Sequence, residues 1–372
     1  MMERNKAASA IKTAISLFAL AAFIGIAFLQ FYEAGILGDG EDRVLINSND
    51  DTEKNLSAYF AGRPAPMGES IGIISAGRFT VVKASGSTIT EESGLLTDPI
   101  VRSKGNFAVV ANYGGREAQL YEKGAAAVGV ETEGTIVSVA TNSNGFFAVA
   151  SEQMGYETVI NVYKKNGEAI YRYILSGKSF IDMDISENNR KLVILTANLD
   201  LGAGSSVTLA NFNQSEAEMT IDVSDQIYFA VHFNKNGSFI CQGDMRVDLY
   251  RQNGEKYGAI DYSGRALTAS DISEDDMICL AFSGSVGEGA KAEVYNRDGK
   301  LRGEAEFNET VTYICVNGAY IAASHGSEID IMTRNGKTKT KLTASGKVKY
   351  AAPFSDGKSA VVFSEGSTEI LK

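Results

Sequence analysis

Residues 135–175 read TIVSVATNSNGFFAVASEQMGYETVINVYKKNGEAIYRYIL and contain four short segments separated by polar turns. The segments are TIVSVAT, GFFAVAS, ETVINVYKK and EAIYRYIL. Alternation of apolar and polar residues with a period of two is typical of β-strands, and Asn-Gly between two such runs favours a hairpin. The spacing of an amphipathic helix does not occur in this stretch. We therefore interpret it as one four-stranded antiparallel sheet.

The same pattern recurs along the chain. A strand followed by polar residues and a glycine appears as TVVKASG, AQLYEKG, INVYKKNG, VDLYRQNG, AEVYNRDG and DIMTRNG, with a degenerate copy in LANFNQ. These turns are separated by 37 to 47 residues and fall at Gly86, Gly124, Gly167, Gln214, Gly254, Gly299 and Gly336. Asn-Gly and Asp-Gly predict tight hairpin turns in which both central residues take positive φ.

A second marker, a polar turn followed by a very apolar strand, keeps the same period. Copies include NSNGFFAVAS, ENNRKLVILT, NKNGSFICQG and SDGKSAVVF. These turns are separated by 39 to 48 residues and fall near Gly105, Gly145, Asn189, Gly237, Asp276, Gly318 and Gly357. Two markers that share a period of about 42 residues, with four strands in each period, predict the blades of a β-propeller. So regular a repeat argues against a two-sheet sandwich.

The ends of the chain bear on the number of blades. The last unit, 347–372, contains only three strands. RVLIN (43–47) could supply the missing outer strand, and LSAYF, ESIGIIS and RFTVVKA would then open the first full blade, which gives eight blades. If residues 43–66 are only a linker, the count is seven. We predict an all-β propeller of eight four-stranded blades, with seven as the alternative.

The first 32 residues predict a membrane anchor. TAISLFALAAFIGIAFLQFY (13–32) contains no charged residue and would form a helix of about 30 Å, which matches the hydrocarbon core of a bilayer. Arg4, Lys6 and Lys12 precede this run and acidic residues follow it, so the positive-inside rule places the N-terminus in the cytoplasm. A cleaved signal peptide is the alternative, although the apolar run is long for one.

These observations divide the chain into four parts. We predict a cytoplasmic tail (1–12), a transmembrane signal-anchor helix (13–32), a spacer (33–42) and an extracytoplasmic propeller (43–372). The protein would then be a single-pass protein of the cell membrane, with the propeller outside.

Composition limits the available chemistry. The net charge of −11 and the pI of about 4.9 argue against nucleic acid as a partner. Cys241, Cys279 and Cys315 lie among apolar residues and predict buried thiols, with a Cys241–Cys279 disulfide as the lesser alternative. No G-x-S-x-G motif accompanies His232 and His325, which we interpret as hydrogen-bonded structural residues. We therefore predict no catalytic, cofactor or metal-binding residues and lean against an enzyme.

Two acidic stretches are copies of one another, namely DMDISENN (182–189) and SDISEDDM (270–277). Calcium requires six to eight oxygen ligands from a loop with suitable spacing. Because these residues occupy a repeated strand and turn without that spacing, we interpret both stretches as solvated turns.

The loops differ in length between the two faces of the predicted propeller. We name the strands of a blade a to d from the axis outward, and we call the face that carries the b–c loops and the linkers between blades the loop face. Long or glycine-rich b–c loops are NYGGRE (112–117), EQMGYE (152–157), NLDLGAGS (198–205) and SGSVGEGAK (283–291). Binding residues often lie in loops on a rigid scaffold. We predict a binding surface that includes Tyr113, Arg116, Tyr156 and Lys291, with flexible connectors as the alternative.

The turns SDGK (355–358), NSNG (142–145) and NKNG (234–237) resemble those of the WD40-like and quinoprotein-like propeller superfamily. The chain departs from WD40 repeats because it has no tryptophan. Together with the N-terminal anchor, the repeat is similar to an uncharacterised membrane-anchored β-propeller family of Firmicutes. This resemblance implies a fold and transfers no active residue.

The function predicted from these features is a membrane-tethered scaffold that binds a protein or a cell-envelope polymer. One alternative is a sensor or receptor that works through a membrane partner. Another is a hydrolase or lyase with its site in the propeller funnel, which would require charged side chains to converge on the central channel.

Overall fold

The computed structural model describes residues 45–46, 63–75, 77–92, 96–154, 156–198, 204–273, 276–284, 289–364 and 367–372. These residues form 32 β-strands in eight four-stranded sheets, and no helix occurs among them. The predicted all-β propeller of eight blades is therefore confirmed. The predicted tail, anchor and spacer lie outside the described residues. Within the described residues, no helix is long and apolar enough to cross a membrane.

The strands follow one another blade by blade. Strand β1 is Leu45–Ile46. Blade 1 contains β2 (Ala65–Met67), β3 (Ser70–Ser75), β4 (Arg78–Lys83) and β5 (Thr88–Glu91). Blade 2 contains β6 (Pro99–Lys104), β7 (Phe107–Asn112), β8 (Glu117–Glu122) and β9 (Ala125–Glu131). Blade 3 contains β10 (Thr135–Thr141), β11 (Phe147–Gln153), β12 (Tyr156–Tyr163) and β13 (Ala169–Leu175). Blade 4 contains β14 (Ser179–Ile185), β15 (Lys191–Asn198), β16 (Gly204–Asn211) and β17 (Ala217–Val223).

The second half of the ring repeats this order. Blade 5 contains β18 (Tyr228–Phe233), β19 (Phe239–Gly243), β20 (Arg246–Tyr250) and β21 (Lys256–Asp261). Blade 6 contains β22 (Leu267–Ile272), β23 (Met277–Phe282), β24 (Ala290–Asn296) and β25 (Leu301–Phe307). Blade 7 contains β26 (Tyr313–Asn317), β27 (Tyr320–His325), β28 (Glu328–Thr333) and β29 (Thr338–Thr343). Blade 8 contains β30 (Val348–Pro353), β31 (Ala360–Ser364) and β32 (Ser367–Leu371).

The two ends of the chain close the ring in blade 8. Strand β1 pairs in parallel with β32, with Leu45 opposite Ser367 and Ile46 opposite Thr368. The prediction that RVLIN (43–47) supplies the missing outer strand is therefore confirmed for its described residues, Leu45 and Ile46. The first described strand of blade 1 is Ala65–Met67, and the predicted LSAYF (56–60) lies outside the described residues. This pairing covers the outer edge of β32 and makes blade 8 four-stranded like the others.

The hydrophobic core consists of layers between neighbouring blades. The b-strands are almost wholly buried, as in β23, whereas outer strands such as β9 are largely exposed. One layer joins Phe107 and Val109 of blade 2 to Ile136 and Phe147 of blade 3. Both faces of each inner strand thus meet another sheet, and this explains the continuous apolar runs in the sequence.

The a–b turns confirm the second sequence marker. All seven marker residues have positive φ, between 56° and 81°. Five of them are glycines. The other two are Asn189 and Asp276, the residue types that tolerate the left-handed region best after glycine.

The c–d turns adopt a different type from the predicted one. In blade 3 the N–H of Gly167 donates to Lys164 O, Gly167 alone has positive φ, and the register shifts beside Tyr163. This is a type I turn followed by a glycine bulge, which accommodates the extra residue of a longer hairpin loop. Among the described c–d turns, only the turn at Lys123 and Gly124 has two central residues at positive φ. The prediction of two such residues in every turn is therefore wrong.

The turn glycines also face the preceding blade. A Cβ atom on Gly336 in blade 7 would lie 2.6 Å from Glu304 N in blade 6, and one on Gly303 in blade 6 would lie 1.9 Å from Asn335 O in blade 7. The c–d turn therefore packs directly on the outer strand of the blade before it. The same arrangement places four more turn glycines against the preceding blade: Gly124, Gly167, Gly254 and Gly299.

Candidate functional site

The b–c loop of blade 2 is held rigidly on the loop face. Gly114 N donates to Ile136 O at 2.8 Å, and Ile136 N donates to Gly115 O at 2.7 Å. Thr132 N donates to Arg116 O at 2.8 Å, which ties the loop to the linker before blade 3. The b–c loop and the linker therefore emerge on one face, and the loop is fixed by backbone bonds to the next blade.

The structure places three of the four predicted binding residues, and these lie in two separate regions. Tyr113 is 54 % exposed, and Arg116, in the same loop, is also exposed. The side chain of Tyr156 lies outside the described part of the structure. Lys291 lies in β24, four blades from Tyr113, and its ammonium is 2.6 Å from Glu304 Oε2. The hydrogen bond to Glu304 raises the pKa of Lys291, so the ammonium stays protonated and paired with Glu304.

Two exposed apolar side chains on the loop face were not predicted as binding residues. Met154, in the b–c loop of blade 3, is fully exposed. Phe229, near the start of β18, is 38 % exposed. Methionine and aromatic residues are enriched in protein interfaces. The signal available in the sequence was the loop EQMGYE itself, in which Met154 precedes the predicted Tyr156.

A lysine from blade 2 reaches across the central channel. Lys104 Nζ lies 3.2 Å from Asp184 Oδ2 and 3.1 Å from Glu187 Oε1, both in blade 4. It also donates to Phe233 O in blade 5 at 3.3 Å. Burial tends to lower the pKa of Lys104, but the two carboxylates outweigh this and raise it, so the lysine is charged. Lys104 thus joins three blades at the axis of the ring.

The two acidic copies have a structural role that differs from the predicted solvated turns. Asp182 accepts a hydrogen bond from Val231 N at 3.0 Å, and Asp184 accepts one from Phe233 N at 2.7 Å. Asp271, at the position equivalent to Asp184, accepts one at 2.6 Å from the backbone N–H of residue 316 in the next blade. Inner strands are sheet edges that expose N–H groups to the channel, and these carboxylates satisfy them. The expectation of solvated carboxylates is therefore wrong.

The environment of the channel shifts the pKa values of its titratable groups. Burial raises the pKa of Asp271 to about 6, against the opposing effects of the Val316 N–H and Arg63. Burial lowers the pKa of His232 well below its usual value, so the imidazole is neutral beside Asp184, with Nδ1 at 3.5 Å from Oδ2. Charged side chains do converge on the channel, but Lys104 is only 6 % exposed within its ion pairs. We therefore interpret this cluster as a tie between blades.

The three cysteines are free and buried, as predicted. Cys241 packs in the layer between blades 4 and 5, whereas Cys279 packs in the layer between blades 6 and 7. The lesser alternative, a Cys241–Cys279 disulfide, is therefore wrong. Burial raises the pKa of both thiols, which makes them poor nucleophiles.

One group of side chains in blade 7 has the composition of a metal site. The ligand atoms of His325, Glu328 and Asp330 all lie within 4.8 Å of one another. His325 and Asp330 are buried, and Glu328 is exposed. The predicted hydrogen bonding of the two histidines is not complete, since Nε2 of both His232 and His325 has no hydrogen-bond partner among the described residues.

Comparison with solved structures gives a consistent fold. Sqt1 from Saccharomyces cerevisiae superposes with a TM-score of 0.57 at 12% identity, covering 88% of this chain and 95% of that one. The C-terminal WD40 domain of Sif2 gives 0.57 at 13%, covering 89% and 96%. BamB from Moraxella catarrhalis gives 0.51 at 13%, covering 85% and 99%. At these identities the likeness shows the propeller fold alone.

Comparison at the level of sequence places the chain in a family. No curated protein sequence matches it significantly. Residues 46–372, which span the whole propeller from within β1 to the last residue, match the family of unknown function DUF5711. The chain is therefore a member of the DUF5711 family.

Proposed function

We propose that the protein is a membrane-tethered extracytoplasmic scaffold that holds a protein partner on the loop face of its propeller. The observation that carries this proposal is the b–c loop of blade 2, which presents exposed Tyr113 and Arg116 on a backbone bonded to blade 3. Tyrosine and arginine are among the residue types that contribute most to protein interfaces. A loop that is already ordered loses little conformational entropy when a partner binds.

Charge favours a protein over an anionic polymer as the partner. The net charge is −11, so anionic lipid headgroups and anionic envelope polymers would be repelled. Met154, which is fully exposed on the neighbouring blade, offers a partner an apolar side chain in addition to the aromatic ring of Tyr113. Apolar and aromatic side chains with one cation suit a largely neutral protein surface.

The tether would hold the ring close to the membrane. Residues 33–44 separate the apolar run 13–32 from β1, and twelve residues span at most about 40 Å when fully extended. Strand β1 lies at the outer edge of blade 8. A short connection to the rim of the ring would keep the propeller within reach of partners anchored in the same membrane.

Crosslinking in intact cells tests this proposal. The full chain would be crosslinked and its partners identified by mass spectrometry, beside a Tyr113→Ala/Arg116→Ala variant. We expect discrete protein partners in the wild type and a loss of more than about tenfold in the variant, because truncating two interface residues of these types commonly costs this much.

The matched control is a Leu301→Ala/Lys165→Ala variant. Leu301 is 50 % exposed on an outer strand, and the Lys165 side chain is 58 % exposed on the face opposite the loops. This variant should capture the same partners as the wild type. Equal capture by both variants, or no partner in the wild type, would contradict the proposal.

A further inference from the structure

A buried carboxylate recurs at one position of the c-strand in three consecutive blades. The residues are Asp248 in blade 5, Glu293 in blade 6 and Asp330 in blade 7. In blade 5, Arg246 Nε lies 2.9 Å from Asp248 Oδ1. In blade 6, Arg265 Nη1 lies 2.9 Å from Glu293 Oε1. Each of these two carboxylates is thus neutralised by an arginine.

In blade 7, other residues occupy the positions of these cations. The position two residues before the carboxylate is Arg246 in blade 5 and Lys291 in blade 6, but Glu328 in blade 7. The residue that pairs with this position from the neighbouring b-strand also differs. Phe282 pairs with Lys291 in blade 6, and His325 pairs with Glu328 in blade 7.

The arginine in the linker before the blade is also lost. Arg265 follows Tyr262 by three residues, and Tyr262 contacts Phe282 with ring centroids 5.8 Å apart. In blade 7 the ring of Phe307 lies 5.0 Å from that of His325, and the residue three positions after Phe307 is Thr310. Two cations of blade 6 are therefore replaced in blade 7 by a carboxylate and a hydroxyl.

Two buried polar atoms face each other in the resulting cluster. His325 Nε2 and Asp330 Oδ1 are 3.6 Å apart, which is too long for a hydrogen bond. Their side chains are only 7% and 4% exposed, and neither atom has a hydrogen-bond partner among the described residues. Leaving such atoms unsatisfied is costly in a folded protein. Lys341 Nζ, on a 68% exposed side chain, contacts the other oxygen, Asp330 Oδ2, at 3.3 Å.

We propose that His325, Glu328 and Asp330 form a binding site for a divalent transition-metal ion, with zinc as the best match. Two ligand atoms that are each about 2.1 Å from a tetrahedral zinc ion lie about 3.4 Å apart, close to the observed 3.6 Å. An imidazole nitrogen beside carboxylate oxygens suits zinc better than calcium or magnesium, which prefer oxygen ligands only.

The surroundings agree with this assignment. Glu328 is exposed, whereas His325 and Asp330 are buried behind it. An ion would therefore reach the cluster from solvent at Glu328, as a bound metal requires.

Calorimetric titration of the tag-free, chelator-treated full chain with Zn²⁺ tests the site. We expect one ion per chain for the wild type and at least a tenfold weaker affinity for His325→Gln and for Glu328→Lys. Glu328 is exposed, and the second change restores the cation that blade 6 carries at this position. Binding of Co²⁺ with the visible absorption of a four-coordinate ion would report the geometry directly.

The matched control is Glu117→Gln. Glu117 is an exposed glutamate in blade 2 at the c-strand position equivalent to Glu328, and the position equivalent to Asp330 is occupied there by Gln119. This variant should bind Zn²⁺ as the wild type does. Three results would overturn the proposal: no stoichiometric binding by the wild type, unchanged affinity in both site variants, or binding of Ca²⁺ as tight as that of Zn²⁺.

Discussion

Replacing Lys104 by methionine is expected to lower the free energy of unfolding by about 3–5 kcal/mol, because it leaves buried carboxylates without their cation. Lys104 Nζ contacts Asp184 and Glu187 of blade 4 and donates to a backbone carbonyl of blade 5. Methionine keeps an unbranched apolar side chain that is one atom shorter, and it removes the charge and the donors. Chemical denaturation followed by far-UV circular dichroism would measure the change.

The control for this substitution is Lys165→Met. The Lys165 side chain is 58% exposed, and its nearest carboxylate oxygen, on Glu122, is 3.9 Å away. The change should stay within about 0.5 kcal/mol, as is usual for surface positions. If Lys104→Met changed the free energy of unfolding as little as the control does, the ion pairs across the channel would not tie the blades together.

Gly303→Ala is expected to destabilise the propeller by about 1–3 kcal/mol, which is typical of inserting a methyl group where no space exists. The added Cβ would lie 1.9 Å from Asn335 O, a backbone atom in the c–d turn of blade 7. Blades 6 and 7 must therefore separate locally to admit it. The unfolding midpoint in urea would report the loss.

Gly258→Ala provides a matched comparison, because Gly258 and Gly303 face equivalent c-strand residues in blades 5 and 6. Neither glycine has a positive φ, and a Cβ on Gly258 would meet only the flexible side chain of Leu249, at 3.4 Å. This variant should unfold close to the wild type. Equal destabilisation by both substitutions would mean that the contact between the blades is not the cause.

The overall fold could be predicted from the sequence because it depends on short-range signals repeated many times. The a–b turn markers, including Asn189 and Asp276, all require positive φ, so their period follows the blades directly. Ring closure by residues 43–47 could be predicted because the last unit lacks one strand. The type of the c–d turns was missed, since an Asn-Gly pair is compatible with both a two-residue turn and a type I turn with a glycine bulge.

The polar clusters could not be predicted because their members are distant in the sequence. Lys104 and Asp184 are 80 residues apart, and no local pattern indicates that they meet across the channel. The acidic copies were misinterpreted because a carboxylate near a turn is usually solvated, and only the ring geometry places Asp271 against the next inner strand.

The sequence contains only a weak signal of the cluster in blade 7. His325, Glu328 and Asp330 lie within six residues, in the stretch SHGSEID, but a single histidine with two acids is a weak metal motif. The stronger signal is the comparison between blades, in which Glu328 replaces the cations Arg246 and Lys291. That comparison needs the strand register, because the residues lie on different blades.

Cysteine labelling in intact cells tests the central claim most directly. The native cysteines are buried, so a membrane-impermeant maleimide should report only introduced sites. Met154→Cys would mark the loop face, and Lys165→Cys would mark the opposite face of the same blade. An outward-facing scaffold with a partner on its loop face predicts labelling at position 165 in intact cells, and labelling at position 154 only after purification. Labelling of neither site before lysis would contradict the outward location, and equal labelling of both in intact cells would contradict a partner on the loop face.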